Sequence, residues 1–290
     1  MDPIENEVDW IAQGKVWVSV PPRVKRMATE YFTIPQELEF ELLPSPHLTI
    51  TKMLEFPLPL QNTVVTATQP AQFFSTIIPD ISDKDLMLRT WRLPIPDSKT
   101  VNKLVACSRQ CWLDGSQSVI YSHLGGDVTH FPLWILLYWV AVLEIKHDIW
   151  VPWRKSQDWV KHNRKIVQRN PTCAVLAEET TLMLAMLPWG IPKAGLSDSE
   201  PFYSLWRFLG LHWLAGLQMN DMLELLHCKV SSNPDLVKNT RVAGTALLPK
   251  ILDAYRTADT GTYWTAQELR WIRDLADDLI QNNAAVIIIS

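Results

Sequence analysis

Proline placement is the strongest constraint on what this chain can fold into. Twelve of its 20 prolines fall in the first hundred residues, at 3, 21, 22, 35, 44, 46, 57, 59, 70, 79, 94 and 96. Proline lacks an amide donor and fixes φ, so helix interiors and sheet centres exclude it. Residues 1–100 are therefore expected to form a lead-in arm without long elements, with short extended pieces at Lys15–Val20 and Leu48–Ile50. Tryptophan is distributed the other way: 11 of 14 follow residue 100. Side chains of that size bring large buried area, so the packed body is expected from residue 101 onward.

That body reads as helical. Phe131–Leu143 runs thirteen residues without a charge, short of the ~18–20 that a membrane span requires, and Glu144, Lys146 and Asp148 close it. It is expected to be a core helix over Trp134–Leu143. Further helices are predicted over Trp153–Val167, Cys173–Leu187, Phe202–Leu209 behind a capping box at Ser197–Glu200, and Met219–Val230. Another is predicted with Leu248, Ile251, Leu252 and Tyr255 inward, and a last one opens at a capping box, Thr265–Glu268. The chain then changes character. Val286–Ile289 is β-branched without alternation, which predicts a strand buried on both faces with neighbours on each side, and hence a domain that continues past Ser290. The fold class expected is mainly α, turning α+β at the C-terminal end. Residues 101–212 would form a Trp-rich helical region and 213–290 the front of a second domain.

Composition excludes several functions. Lys+Arg 27 against Asp+Glu 31 gives a net charge of −4, which does not favour phosphate backbones or anionic membrane. Four scattered cysteines suit a reducing compartment, and the acidic start (Asp2, Glu5, Glu7, Asp9) does not resemble a signal or transit peptide. An intracellular location, nucleus or cytoplasm, is expected, with no membrane partner.

The chemistry-bearing patterns are few. Cys107-x3-Cys111-x11-His123-x6-His130 approaches a Cys2His2 zinc spacing, but its last interval is one residue too long. The alternative is two buried thiols and two turn histidines, and no metal site is assigned. Arg154, Lys155, Lys161, Arg164, Lys165 and Arg169 lie beside Trp150, Trp153 and Trp159. Such a stretch suits a nucleic acid or a solvated helix with its tryptophans turned inward; the negative net charge favours the second, and nucleic acid is not an expected partner. Phosphate-loop, dinucleotide and nucleophile-elbow motifs do not occur, and no cofactor is expected. His227 and Cys228 are adjacent on a predicted helix, so their side chains diverge by about 100° and suit a thiol–imidazole pair poorly.

From Trp213 on, an ordered series of short motifs appears: Trp213-Leu214-Ala215-Gly216, an amphipathic helix over Leu217–Leu226, Arg241 to Leu248 with Thr245 at its centre, Tyr263-Trp264-Thr265, then the strand Val286–Ile289. This series resembles the opening of the ubiquitin-like-protein-specific cysteine proteases, the SUMO-deconjugating family, in the divergent form carried by fungal genomes. The likeness covers residues 213–290. It departs at Gly216, where the family has Asp, a better helix cap. The resemblance implies that the family's His-Trp pair, Asp, Gln and nucleophilic Cys would follow the strand, so no catalytic residue is assigned in this chain. It also implies a SUMO-type ubiquitin-like protein as partner, and gives Trp213 the role of walling the tunnel that grips the Gly-Gly tail. The function expected is that of a fragment of such a peptidase, inactive by itself. The alternative is a non-catalytic protein-binding module or pseudo-enzyme, including an accessory of a mobile element.

Overall fold

Prolines of the first hundred residues start helices rather than preventing them. The computed structural model describes residues 16–60, 70–79, 93–121, 129–163, 171–196, 200–209, 214, 216–258 and 261–287. Within them Pro22 stands in the first turn of α1 (Pro22–Phe32), and Pro35 precedes α2 (Gln36–Leu42). A proline there loses nothing, because first-turn amides have no intrahelical acceptor and φ is already near −60°. The helix α3 (Ile50–Glu55) follows, its Thr49 side chain accepting from the Lys52 amide at 3.3 Å. The arm expected from proline counting is thus mainly helical where described. Trp17–Ser19, expected as extended, forms a 3-10 turn, while Thr49 does form an antiparallel bridge, with Pro188.

Two compact units emerge, Met1–Asp158 with Leu182–Trp189, and Trp159–Thr181 with Gly190–Ser290. In the first, α4 (Ser98–Leu113) is capped by Asp97, whose carboxylate accepts from the Thr100 amide at 3.0 Å and the Thr100 hydroxyl at 2.7 Å. The strands β1 (Phe74–Ser75), β2 (Ser118–Tyr121) and β3 (Thr129–Pro132) form an antiparallel sheet in that order, with Val119 opposite Phe131. The charge-free run becomes α5 (Ile135–Glu144), whose Ile135, Leu136, Tyr138, Trp139, Val142 and Leu143 are buried. One core joins these residues to Val20, Ala28, Leu38, Leu42 and Ile95 from the Pro-rich segment. The boundary expected at residue 100 does not mark an edge of this core.

A π-helical turn, Ile145–Trp150, carries α5 directly into α6 (Val151–Asn163). Pro152 sits in the first turn of α6 and has no amide to offer the preceding turn, and a widened turn is one way a helix absorbs that loss. The helix predicted over 153–167 is therefore part of a longer one, and its last residues, 164–167, lie outside the described residues. The helix α7 (Pro171–Ala185) matches expectation. Its end is tied to the first unit, where Ile50 donates to the Leu187 carbonyl and Trp189 to the Leu48 carbonyl, both at 2.9 Å.

The second unit holds α8 (Gly216–Ser231), α9 (Pro234–Asn239), α10 (Leu247–Ala258), α11 (Thr262–Thr265), α12 (Arg270–Gln281), and a parallel pair, β4 (Thr240–Val242) with β5 (Ala285–Ile287). Four expectations fail here. Phe202–Leu209 is a 3-10 helix, because Phe202 donates to Ile191 and Ser204 donates back to Pro201; Ser197–Ser199 of the supposed capping box lie outside the described residues. The Thr265–Glu268 box does not form either: Thr265 ends α11, and its hydroxyl bonds back to Thr262 at 3.4 Å. Leu248, Ile251, Leu252 and Tyr255 face outward, and it is Leu247 and Ala254 that α10 buries. Among the described residues β5 has one neighbour, β4, and it is not buried on both faces: Ala285 and Ile287 are exposed and Val286 half-buried. The positions expected to form its far end, 288 and 289, lie outside the described residues. Mainly α is the fold class observed, with small sheets.

Tyr138 is fully buried and, among the described residues, its hydroxyl has no partner. Tyr138→Phe should leave stability unchanged or raise it by up to about 1 kcal/mol, since an unpaired buried hydroxyl is only a cost. Trp153→Ala, at a fully buried indole, should cost about 3–5 kcal/mol. Urea unfolding of the two variants checks both; a Tyr138→Phe loss above about 1 kcal/mol would contradict this account of the core.

Candidate functional site

Burial of charge singles out the start of α8. Its inward face carries Gln218 and Asp221 together with Leu223 and Val230, two of the apolar residues the sequence pattern turns inward. Met222 is instead exposed, and so is Leu225. The polar pair turns inward because its partners come from the loop 190–201. Lys193 makes a buried ion pair with Asp221, and Gln218 Nε2 donates to Glu200 Oε2 at 2.6 Å. The loop is shaped to deliver both: Pro192 bridges Pro201, Lys193 N donates to the Glu200 carbonyl at 3.2 Å, and Gly195 reverses the chain at φ +82°, which disfavours a side chain.

Next to Asp221 in the chain, on the flank of the helix, Asn220 binds the segment that follows β4. Its Oδ1 accepts from Thr245 N at 3.0 Å and Thr245 Oγ1 at 3.1 Å. This joint borders a cleft of about 350 Å³, lined among others by Glu224, His227, Gly244 and Thr245. His227 Nε2 lies 3.4 Å from Ser231 Oγ, one turn on. On the far side of β4, Arg241 grips Asp278 of α12 with two parallel bonds of 2.6 and 3.0 Å. Those bonds hold the Asp278 carboxyl below its usual range. Arg241 also donates to the Val237 carbonyl at 2.7 Å, so one guanidinium joins α9, β4 and α12.

The residues expected to carry chemistry are dispersed. Trp213 lies outside the described residues, as do His123 and Arg164, Lys165 and Arg169. Cys107 and Cys111 sit one turn apart on α4, and His130 Nδ1 is 3.2 Å from Ser118 Oγ on the neighbouring strand. Among the described residues no three metal-ligating side chains gather. Burial pushes the Cys107 thiol up, and burial with the neighbouring Cys107 and Asp114 pushes Cys111 up to about 12. A thiol so disposed is a poor nucleophile at neutral pH. Arg154 is committed to packing: it donates to the Leu54 carbonyl at 3.1 Å and lies over the Trp150 ring at 5.3 Å, and Trp153 is buried. Lys155 and Lys161 are exposed. No family model, curated protein or solved structure matches the chain. Among the described residues no helix is long and apolar enough to cross a membrane.

Sequence reasoning missed the Lys193–Asp221 and Asn220–Thr245 joints. Their one visible signal was an aspartate and an asparagine inside an otherwise apolar helical stripe.

Two outcomes follow. Lys193→Met strands the Asp221 carboxylate in the interior and should cost about 3–5 kcal/mol, while the double change Lys193→Met with Asp221→Leu should recover most of that loss in chemical unfolding. In timed alkylation at pH 8 followed by mass spectrometry, the exposed Cys228 should react well before Cys107 or Cys111.

Proposed function

We propose that residues 213–290 form the front of a ubiquitin-like-protein-specific cysteine protease domain, and that this part of the chain binds a ubiquitin-like protein without supplying the nucleophile. The observation that carries the reading is the order of elements after Trp213: the helix α8, the strand β4, the Thr245 turn opening α10, then α12 and β5 parallel to β4. Helix, Thr245 segment, second helix and final strand stand in the order of the sequence motifs that resemble that family, with β4 as an addition to the series. The raised thiols of Cys107 and Cys111 agree with a role short of catalysis. So does the divergence of His227 from Cys228 on one helix.

The second reading is a non-catalytic docking module. It is favoured by the outward stripe of α10, where Tyr255 is 80% exposed, and by Trp264, 72% exposed. Aromatic and aliphatic side chains presented in this way are the usual anchors of protein interfaces.

One titration separates the two. Isotope-labelled SUMO-type protein and ubiquitin are each mixed with the full chain and followed by NMR. Binding to one of them that Trp213→Ala weakens about tenfold, with Tyr255→Ala close to neutral, supports the protease-front reading. Binding lost in Tyr255→Ala and kept in Trp213→Ala moves the conclusion to the docking module. Failure of both proteins to bind below about 1 mM overturns the first reading.

A further inference from the structure

A second cleft, of about 430 Å³, lies in the first unit. One face of α1 lines it with Lys25, Thr29 and Phe32, at i, i+4 and i+7. Trp17, Arg109 of α4 and Leu137 of α5 complete it. The volume lies within the range that small-molecule sites occupy.

Its electrostatics are one-sided. Lys25 Nζ stands 5.8 Å and the Arg109 guanidinium 5.5 Å from the centre of the same Trp17 ring. Among the described residues neither cation makes an ion pair with a carboxylate. The Lys25 ammonium donates to the Val18 carbonyl, at 3.3 Å, and Asp114, the residue that follows α4, accepts from Gln110. Two like charges drawn to one ring repel each other, and an anion between them removes that repulsion. The ring holds both in place by cation–π attraction, so part of the ordering cost is met before a ligand arrives. Trp17 is itself fixed, its amide donating to Gln110 Oε1 at 3.0 Å.

We propose that this cleft binds an organic phosphate monoester of nucleoside monophosphate size. Two cations match the charge of −1.5 to −2 that a phosphate monoester carries near neutrality, which a carboxylate does not. Arg109 offers a planar fork and Lys25 a point charge, the pairing that phosphate oxygens accept best. The rest of the cleft asks for a larger ligand than the anion alone. Phe32 and Leu137 present apolar surface, with Leu137 41% exposed at a helix position otherwise given to the core. Thr29 spends its hydroxyl proton on the Lys25 carbonyl at 2.9 Å, so its oxygen is left to accept from a ligand hydroxyl.

Calorimetric titration of the full chain with adenosine 5′-monophosphate, adenosine and inorganic phosphate tests this. Adenosine 5′-monophosphate should bind at least tenfold more tightly than either fragment, and more weakly as salt is raised. Lys25→Gln and Arg109→Gln should each reduce that affinity about tenfold, as expected for one charge-assisted bond, while Lys155→Gln leaves it unchanged. Thermal unfolding of the ligand-free variants shows whether they remain folded, and Arg109→Lys, which keeps the charge and loses the fork, should fall between wild type and Arg109→Gln. Four results would overturn the proposal: no binding of adenosine 5′-monophosphate up to about 10 mM, adenosine or inorganic phosphate binding as tightly, or folded Gln variants with wild-type affinity.

Discussion

A buried ammonium must find a buried carboxylate, and the second unit is arranged around that requirement. Lys193 and Asp221 are both almost wholly removed from solvent. Neither could remain there charged without the other, because desolvation costs several kcal/mol per ion. Their pairing fixes the rotation of α8. Once Asp221 points inward, Gln218 falls on the same face and meets Glu200, and Met222 and Leu225 are turned out. Asn220 is carried to the flank, where it receives Thr245, and with Thr245 the entry into α10 is set. The cleft beside His227 is bordered by the second of these commitments, with Asn220 and Thr245 both in its lining.

The first unit rests on apolar burial instead. Its core draws on the Pro-rich segment as well as on α4 and α5, so the N-terminal helices are held by what they cover rather than by their own length. One helix end there is satisfied from far along the chain. Trp150 and Arg154 both donate to the Leu54 carbonyl at the last turn of α3, at 3.0 and 3.1 Å. A basic, aromatic stretch that reads in sequence as a binding surface is thereby partly consumed in closing a helix.

What could be read from the sequence was what depends on neighbours along the chain. The charge-free run at 131–143 and the Ala-, Leu- and Met-rich stretch at 173–187 were legible as helices because composition and length decide them. The orientation of amphipathic faces was not. In α10 the expected apolar stripe is turned outward, and in α8 Met222 of the stripe is exposed while Leu223 and Val230 are buried, since contacts from residues far along the chain outweigh the periodic pattern. Proline misled for a related reason. Its exclusion from helix interiors says nothing against helix starts, and Pro22 and Pro35 stand at starts. Of the candidate site, Trp213 rests on sequence likeness alone, whereas the polar joints around α8 were visible only once Lys193 and Thr245 were placed beside it.

The widened turn at Ile145–Trp150 has a consequence for how this chain tolerates change. A π turn holds one residue more than the α-helical path requires, and each residue advances a helix by about 100°. The direction in which Trp153 and Ser156 point is therefore set by a single surplus residue upstream. Loss of one residue there would restore a regular helix and swing every later side chain by more than a quarter of a circle, with no position in α6 itself altered. Insertions and deletions near residue 148 are thus rotations in disguise, and a lineage of such chains would keep the length of this turn more strictly than its composition.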